Sequence, residues 1–165
     1  ERVLEVGNVL PHYFQTRHTV VDKDEADPRV VSSDIVEFQP AQHFDLIVSI
    51  STLEHVGFDY SETVQPEKIL GAIEHLRGLL SDRGRLLVTL PMGYNPYLDD
   101  LLRNGVLRFD RTLAMERISH DNQWRETDWE GIAHAQYGDP YRGANGLFIG
   151  IIGVGGATDL PGLGR

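Results

Sequence analysis

The sequence predicts an α/β fold: an open, mostly parallel sheet with helices on both faces. Three observations carry this. Five short stretches rich in Val, Ile and Leu lack polar alternation, as strands covered on both faces do. Amphipathic helical patterns lie between or after the later stretches. The alternation of the two through residue 91 calls for right-handed crossovers between parallel strands.

The elements follow in chain order. Strands are expected at 2–6 (RVLEV), 18–22 (HTVVD), 29–33 (RVVSS), 44–51 (FDLIVSIS) and 84–91 (GRLLVTLP). Only fifteen positions separate Gly7 from Asp22, so the first helix must be short, no more than the stretch LPHYFQT. Across 66–80, Ile69, Leu70, Ile73, Leu76 and Leu80 form one apolar stripe, and Pro66 sits at a natural first-turn position. Gly84 ends that helical region and opens the next strand. A further helix follows Pro91: Asn95 caps it, Pro96 begins it, Asp99 and Asp100 favour its positive end, and Gly105 closes it. Beyond it, either 113–119 or 123–127 supplies one strand, then a long loop leads to a last strand at 146–154. The domain therefore spans 1–154, with 155–165 as a flexible glycine-rich tail. The GVGG run at 153–156 is no phosphate loop, because no helical pattern follows it. The chain begins at Glu1 and enters a strand at once, so further N-terminal residues are expected before it.

Composition narrows the function. With 165 residues, 41% apolar and 24% charged, the chain suits one globular domain. No apolar run approaches the roughly 20 residues of a membrane helix, no signal peptide is visible, and a cytoplasmic location is expected. The lack of cysteine excludes disulfides, thiolate catalysis and Cys-based metal sites. Seven histidines show no close ligand spacing, so no metal is expected. Fifteen Lys and Arg against 25 Asp and Glu give a net charge of −10, which argues against nucleic acid as a partner. A small-molecule or sugar substrate fits better, and the residues fix no oligomeric state.

Ligands of open α/β sheets bind beyond the carboxyl ends of the strands, where strand order reverses. That rule points to Gly7 and Asn8 after the first strand, Asp22 after the second, and residues 51–55 after the fourth.

The motifs at these places are VLEVG, VVDKDE, SSDIVEF, FDLIVSISTLEHVG and LRGLLSDRGRLLVTLP. In this order and spacing the chain resembles, over about residues 2–153, the class I S-adenosylmethionine-dependent methyltransferases. The resemblance implies a Rossmann-like sheet of strand order 3-2-1-4-5-7-6 with the seventh strand antiparallel, and 146–154 fits that strand. It implies S-adenosylmethionine as cofactor, with Asp22, beside Lys23, accepting hydrogen bonds from the ribose diol. Asp34 would accept from the adenine amino group while Ile35 packs on the ring. Glu5, Gly7 and Asn8 would shape the methionine end, and Ser51, Thr52, Leu53 and Glu54 would close the pocket over the sulfonium. His55 follows the fourth strand beside the methyl donor and is the candidate general base, although a lone histidine is more often structural. Tyr94 is the candidate acceptor-facing aromatic, among late aromatics that could stack on sugar faces. The form EVGNVLPHY, VVDKDE, STLEHVG, PMGYNPYLD also resembles a bacterial subgroup associated with surface-polysaccharide or glycosyl-transfer functions.

The loop after the first strand departs from the family pattern Glu-x-Gly-x-Gly-x-Gly. Gly7 is kept, but Val9 and Pro11 replace the other two glycines. Val9 is β-branched, and Pro11 lacks an N–H donor. A dinucleotide needs a nest of backbone donors for its pyrophosphate, so NAD(P) is disfavoured, as it is by the lack of a Tyr-x-x-x-Lys pair. S-adenosylmethionine carries no phosphate and needs a close loop, not an anion nest. The expected function is methyl transfer to a small-molecule or saccharide acceptor, with O-methylation favoured. The alternative is an inactive methyltransferase-like binding or scaffold domain in glycan biosynthesis.

Overall fold

The computed structural model describes residues 1–58 and 64–153. The elements are β1 (Val3–Val6), β2 (Thr19–Val21), β3 (Phe44–Ile50), α1 (Lys68–Gly78), β4 (Leu80–Pro91), α2 (Pro96–Arg103), β5 (Arg111–Arg117), β6 (Trp124–Thr127), α3 (Trp129–Ile132) and β7 (Gly146–Gly153). They build one seven-stranded sheet of order β2-β1-β3-β4-β7-β5-β6. β1 to β4 run parallel to one another, and β7 is antiparallel to both β4 and β5. This is a Rossmann-like arrangement with an antiparallel last strand; it keeps the expected order 3-2-1-4-5-7-6 except that the edge strand at 29–33 is absent and β6 is added at the opposite edge.

Three elements differ from expectation. Residues 29–33 are not a strand: a single parallel bridge joins Val31 to Val21. Pro28 and a tight local turn intervene, in which Asp27 accepts from the Arg29 backbone N–H and from its guanidinium. That guanidinium, with the Arg29 N–H, holds the Asp27 carboxyl down at about 2. The two alternatives for the sixth strand are both strands, paired as the β5–β6 hairpin. β4 begins at Leu80, ahead of Gly84, and Gly84 lies where the strand crowds β3: a Cβ there would sit 2.6 Å from the Phe44 carbonyl oxygen. Residues 154–165, including the end of the expected last strand and the expected tail, lie outside the described residues.

Among the described residues the α-helices pack on one face of the sheet. Paired strand residues share a face, and Leu4, Ile47, Leu86 and Ile152 form one such row, with Val6, Ser49 and Val88 in the next. The apolar core gathers this face with Ile69, Ile73 and Leu76 of α1, Leu98 and Leu101 of α2, and Ile132 of α3. On the opposite face Leu46, Ile50, Leu87, Ile149 and Ile151 stay partly exposed, and none of them belongs to that core.

Crossover handedness explains the difference. Right-handed connections that run toward opposite edges lie on opposite faces. The connection that runs toward the β2 edge, residues 7–18, contains no α-helix, only a 3₁₀ turn at Leu10–His12, and the return from β2 to β3, residues 22–43, contains none either. The expected short first helix is this single turn.

Candidate functional site

The chain leaves β1 through Gly7, whose φ is +91° and whose N–H donates to the Val21 carbonyl (2.9 Å). A Cβ at Gly7 would meet Thr52 Oγ1 at 2.2 Å, so β1 and the turn after β3 approach this closely only because the residue is glycine. Val9, by contrast, has φ −100° and ψ −55°, and Pro11 opens the 3₁₀ turn. These are ordinary right-handed conformations in which neither residue needs a glycine. The altered loop is thus a tight turn instead of a nest of donors.

Glu5 explains how the turn is held. It is fully buried and does not line the cleft described below, so it shapes the site from behind. The Val9 and Leu10 N–H groups both donate to its Oε1 (2.8 and 2.7 Å), and His18 Nε2 lies 2.5 Å from Oε2. A carboxylate inside an apolar strand requires such partners, and here they are the loop itself. Asn8 also points elsewhere: its amide donates to Glu25 (3.1 Å). That bond, ahead of the Asp27 and Ala26 N–H groups, keeps the Glu25 carboxyl below its usual range.

At the carboxyl ends of β1, β2 and β3 lies a cleft of about 260 Å³. Of the residues singled out from sequence, it brings together Gly7, Asp22, Lys23, Asp34, Ile35, Thr52 and His55. Asp22 Oδ1 accepts from the Asp24 N–H (2.9 Å). Asp34 is already engaged: Lys68 Nζ donates to Oδ2 (2.6 Å) and the Val36 N–H to Oδ1 (3.2 Å). Burial works to raise the Asp34 carboxyl, but Lys68, the Val36 N–H and Lys23 together hold it below its usual range.

Four other candidates lie off the cleft. Leu53 is fully buried in the apolar core. Glu54 is buried too; its carbonyl accepts from the Asn95 amide (2.8 Å), and its Oε1 is 3.9 Å from His55 Nε2. Ser51 is exposed with φ +45°, a left-handed conformation that a serine adopts at some strain. Its N–H donates to both the carbonyl and the hydroxyl of Thr89. Tyr94 stands just beyond the cleft, its hydroxyl 3.0 Å from His55 Nδ1.

Sequence reasoning missed Lys68, Asp24, Ser33, Val56 and Gly57 as cleft residues. Lys68 had no signal, because it reads as an ordinary first-turn helix residue. Gly57 was legible in retrospect: it follows His55 closely, and its φ of +73° turns the chain around the cleft mouth. Asn95 does cap α2, accepting from the Tyr97 and Leu98 N–H groups (both 3.1 Å). Asp99, expected to serve the helix end, instead turns inward and accepts from the Gly93 N–H (2.9 Å). Burial pushes its carboxyl up.

The chemistry of the cleft suits a nucleoside better than a dinucleotide. Asp22, Asp24 and Asp34 outnumber Lys23 and Lys68 in the cleft, Lys68 is already paired with Asp34, and the 7–12 turn offers a pyrophosphate no nest. The cleft offers a carboxylate at Asp22, an apolar side chain at Ile35 and a backbone without side chain at Gly7. No helix among the described residues is long and apolar enough to cross a membrane.

No family model matches the chain, and no curated protein matches its sequence. Solved structures do match its fold. The N-methyltransferase NodS from Bradyrhizobium japonicum WM9, solved in complex with S-adenosyl-L-homocysteine, aligns with a TM-score of 0.50 at 16% identity, over 91% of this chain and 76% of its own. A Thermotoga maritima S-adenosylmethionine-dependent methyltransferase, described as a possible histamine N-methyltransferase, aligns with a TM-score of 0.51 at 14% identity, over 93% of this chain and 82% of its own. At such identities the likeness is one of fold.

Proposed function

We propose that the chain binds S-adenosylmethionine in the cleft and transfers its methyl group to a small-molecule or saccharide acceptor. One observation carries the reading: the glycine turn after β1, the carboxylate after β2 and the turn after β3 converge on one cleft. The saccharide part also draws on the likeness of the sequence motifs to surface-polysaccharide-associated proteins.

In this reading Asp22 accepts hydrogen bonds from the ribose hydroxyls and Ile35 packs on adenine. Asp34 serves the adenine edge while still paired with Lys68, so the ion pair fixes the depth of the base. Gly7 lets the backbone approach the methionine end, and Glu5 holds the turn in that position. When bound, S-adenosylmethionine supplies a methyl group already activated on a sulfonium, and the protein chiefly aligns the acceptor with it. His55, at the cleft mouth, takes the proton of an acceptor hydroxyl or ammonium, with Tyr94 fixing the orientation of its ring.

Isothermal calorimetry with S-adenosylmethionine and S-adenosylhomocysteine tests the reading. Both ligands bind, and Asp22→Ala weakens them at least about tenfold, as loss of charge-assisted hydrogen bonds does. A full-length protein that binds neither ligand refutes the reading.

A further inference from the structure

Beside the cleft the structure assembles an aromatic corner from three separate connections. His55, which lines the cleft, packs edge-on against Tyr94 with centroids 4.8 Å apart. Tyr94 in turn packs edge-on against Tyr137 at 5.0 Å. Tyr137 is 46% exposed, and the His55 side chain is 41% exposed, so the row runs along the protein surface from the cleft wall to Tyr137.

The corner is held rigidly. Gly93 has φ +78°, and a Cβ there would lie 2.4 Å from the Ala135 carbonyl and 2.8 Å from the Tyr137 nitrogen. The turn carrying Tyr94 therefore rests directly on the backbone of Tyr137, a contact only glycine permits. Asp99 fixes that turn through the Gly93 N–H. Asn145 fixes the other side: its amide donates to the carbonyls of Gln136, Tyr141 and Gly143 (3.0, 2.7 and 3.0 Å). Asn95 ties the Tyr94 turn to Glu54. Asn95, Asp99 and Asn145 are half of the six buried polar side chains among the described residues. Burying polar groups is unfavourable unless they are paired; Asn95 and Asn145 commit their amides to these turns, and Asp99 commits one of its two carboxylate oxygens. Their concentration here marks a preorganised surface, since a solvent-exposed tyrosine needs no such support.

We propose that Tyr94 and Tyr137 form a stacking platform that selects a pyranose-bearing acceptor and presents it to the cleft, with Tyr137 the specificity-determining residue. This rests on the methyltransferase reading above. The exposed phenol ring offers its face to the C–H face of a sugar ring, while its hydroxyl, an amphipathic handle, reaches sugar hydroxyls. A wholly apolar ligand would call for an enclosed pocket, whereas this platform is open to water on the Tyr137 side. Tyr94 lies between Tyr137 and His55, with centroids 5.0 and 4.8 Å away, so an acceptor stacked on Tyr137 extends past Tyr94 to bring its reacting hydroxyl to His55.

Saturation-transfer NMR on the full-length protein with methyl β-D-glucopyranoside tests the proposal, with S-adenosylhomocysteine affinity measured by calorimetry on the same samples. Wild-type protein transfers saturation to the glycoside. Tyr137→Ala reduces the transfer at least about fivefold, and Tyr137→Trp, which keeps a ring, restores it. No transfer in the wild type, equal transfer in Tyr137→Ala, or stronger transfer to phenol than to the glycoside each overturns the proposal. The two readings fail separately: nucleoside binding without glycoside binding removes only the platform, and the reverse removes only the cofactor site.

Discussion

The two faces of the sheet share the same strands and nearly the same aliphatic composition, yet they fare differently. Leu86, Val88 and Leu90 of β4 are fully buried under the three helices. Leu87, between them on the same strand, points to the other face and remains partly exposed, as do its neighbours Ile149 and Ile151. What separates them is not the strand sequence but the connections. The connections into β4, β5 and β7 carry helices, whereas residues 7–18 and 22–43 carry no α-helix. Strand sequence alone therefore overstates how completely a parallel sheet is buried.

Four measurements break or sharpen this comparison. The largest effect is expected on the helix-covered face: Leu86→Ala lowers the free energy of unfolding by about 2–5 kcal/mol, read from urea denaturation. Next comes Glu5, the buried charge on the other face, where it lies beside the buried Val20 and Val48 and is held by its own loop. Replacing it with Ala leaves two N–H groups and His18 without their acceptor and destabilises by about 1–3 kcal/mol. It also weakens S-adenosylhomocysteine binding, since the turn at Gly7 loses its anchor; an unchanged affinity would uncouple Glu5 from the site. Ile151→Ala, on the partly exposed face, costs only about 1 kcal/mol or less, and a loss equal to that at Leu86 would erase the distinction between the faces.

The smallest effect is one of pH. Asp34 in the folded chain titrates below its usual value of 3.8, because Lys68 and the Val36 N–H outweigh its partial burial. A lowered carboxylate pKa contributes stability that is present above the unfolded value and is lost as pH falls through the folded one. Thermal melts taken from pH 5 downward should therefore show a steeper loss below about pH 4 in the wild type than in Asp34→Asn. Parallel curves would mean that the Lys68 pair contributes nothing.

The sheet's strands were legible because apolar runs bounded by turn residues are a local signal. Residues 2–6, 18–22, 44–51 and 84–91 all fall on strands, and α2 was marked at both ends by Asn95 and Gly105. Residues 29–33 misled for an instructive reason: Val30 and Val31 carry strand propensity, but the Asp27–Arg29 turn before them and Ser32, Ser33 and Asp34 after them leave room for only one bridge. Within the site, Gly7, Asp22 and the 51–55 segment could be placed from strand ends alone. Which members of that segment face the cleft could not, because the 3₁₀ turn at Leu53–His55 sends Leu53 and Glu54 inward and His55 toward the cleft.

By itself the sequence determined the fold class, the parallel order of the first strands and the places where ligand-facing groups emerge, since periodicity, turn residues and crossover handedness are properties of short segments. Only the tertiary structure decided that Glu5 serves its own loop, that Lys68 pairs with Asp34, and that Tyr137 meets Tyr94. Those contacts join residues 5 with 18, 34 with 68 and 94 with 137. Pairings at such separations come from how crossovers stack strands side by side, and no local pattern records them.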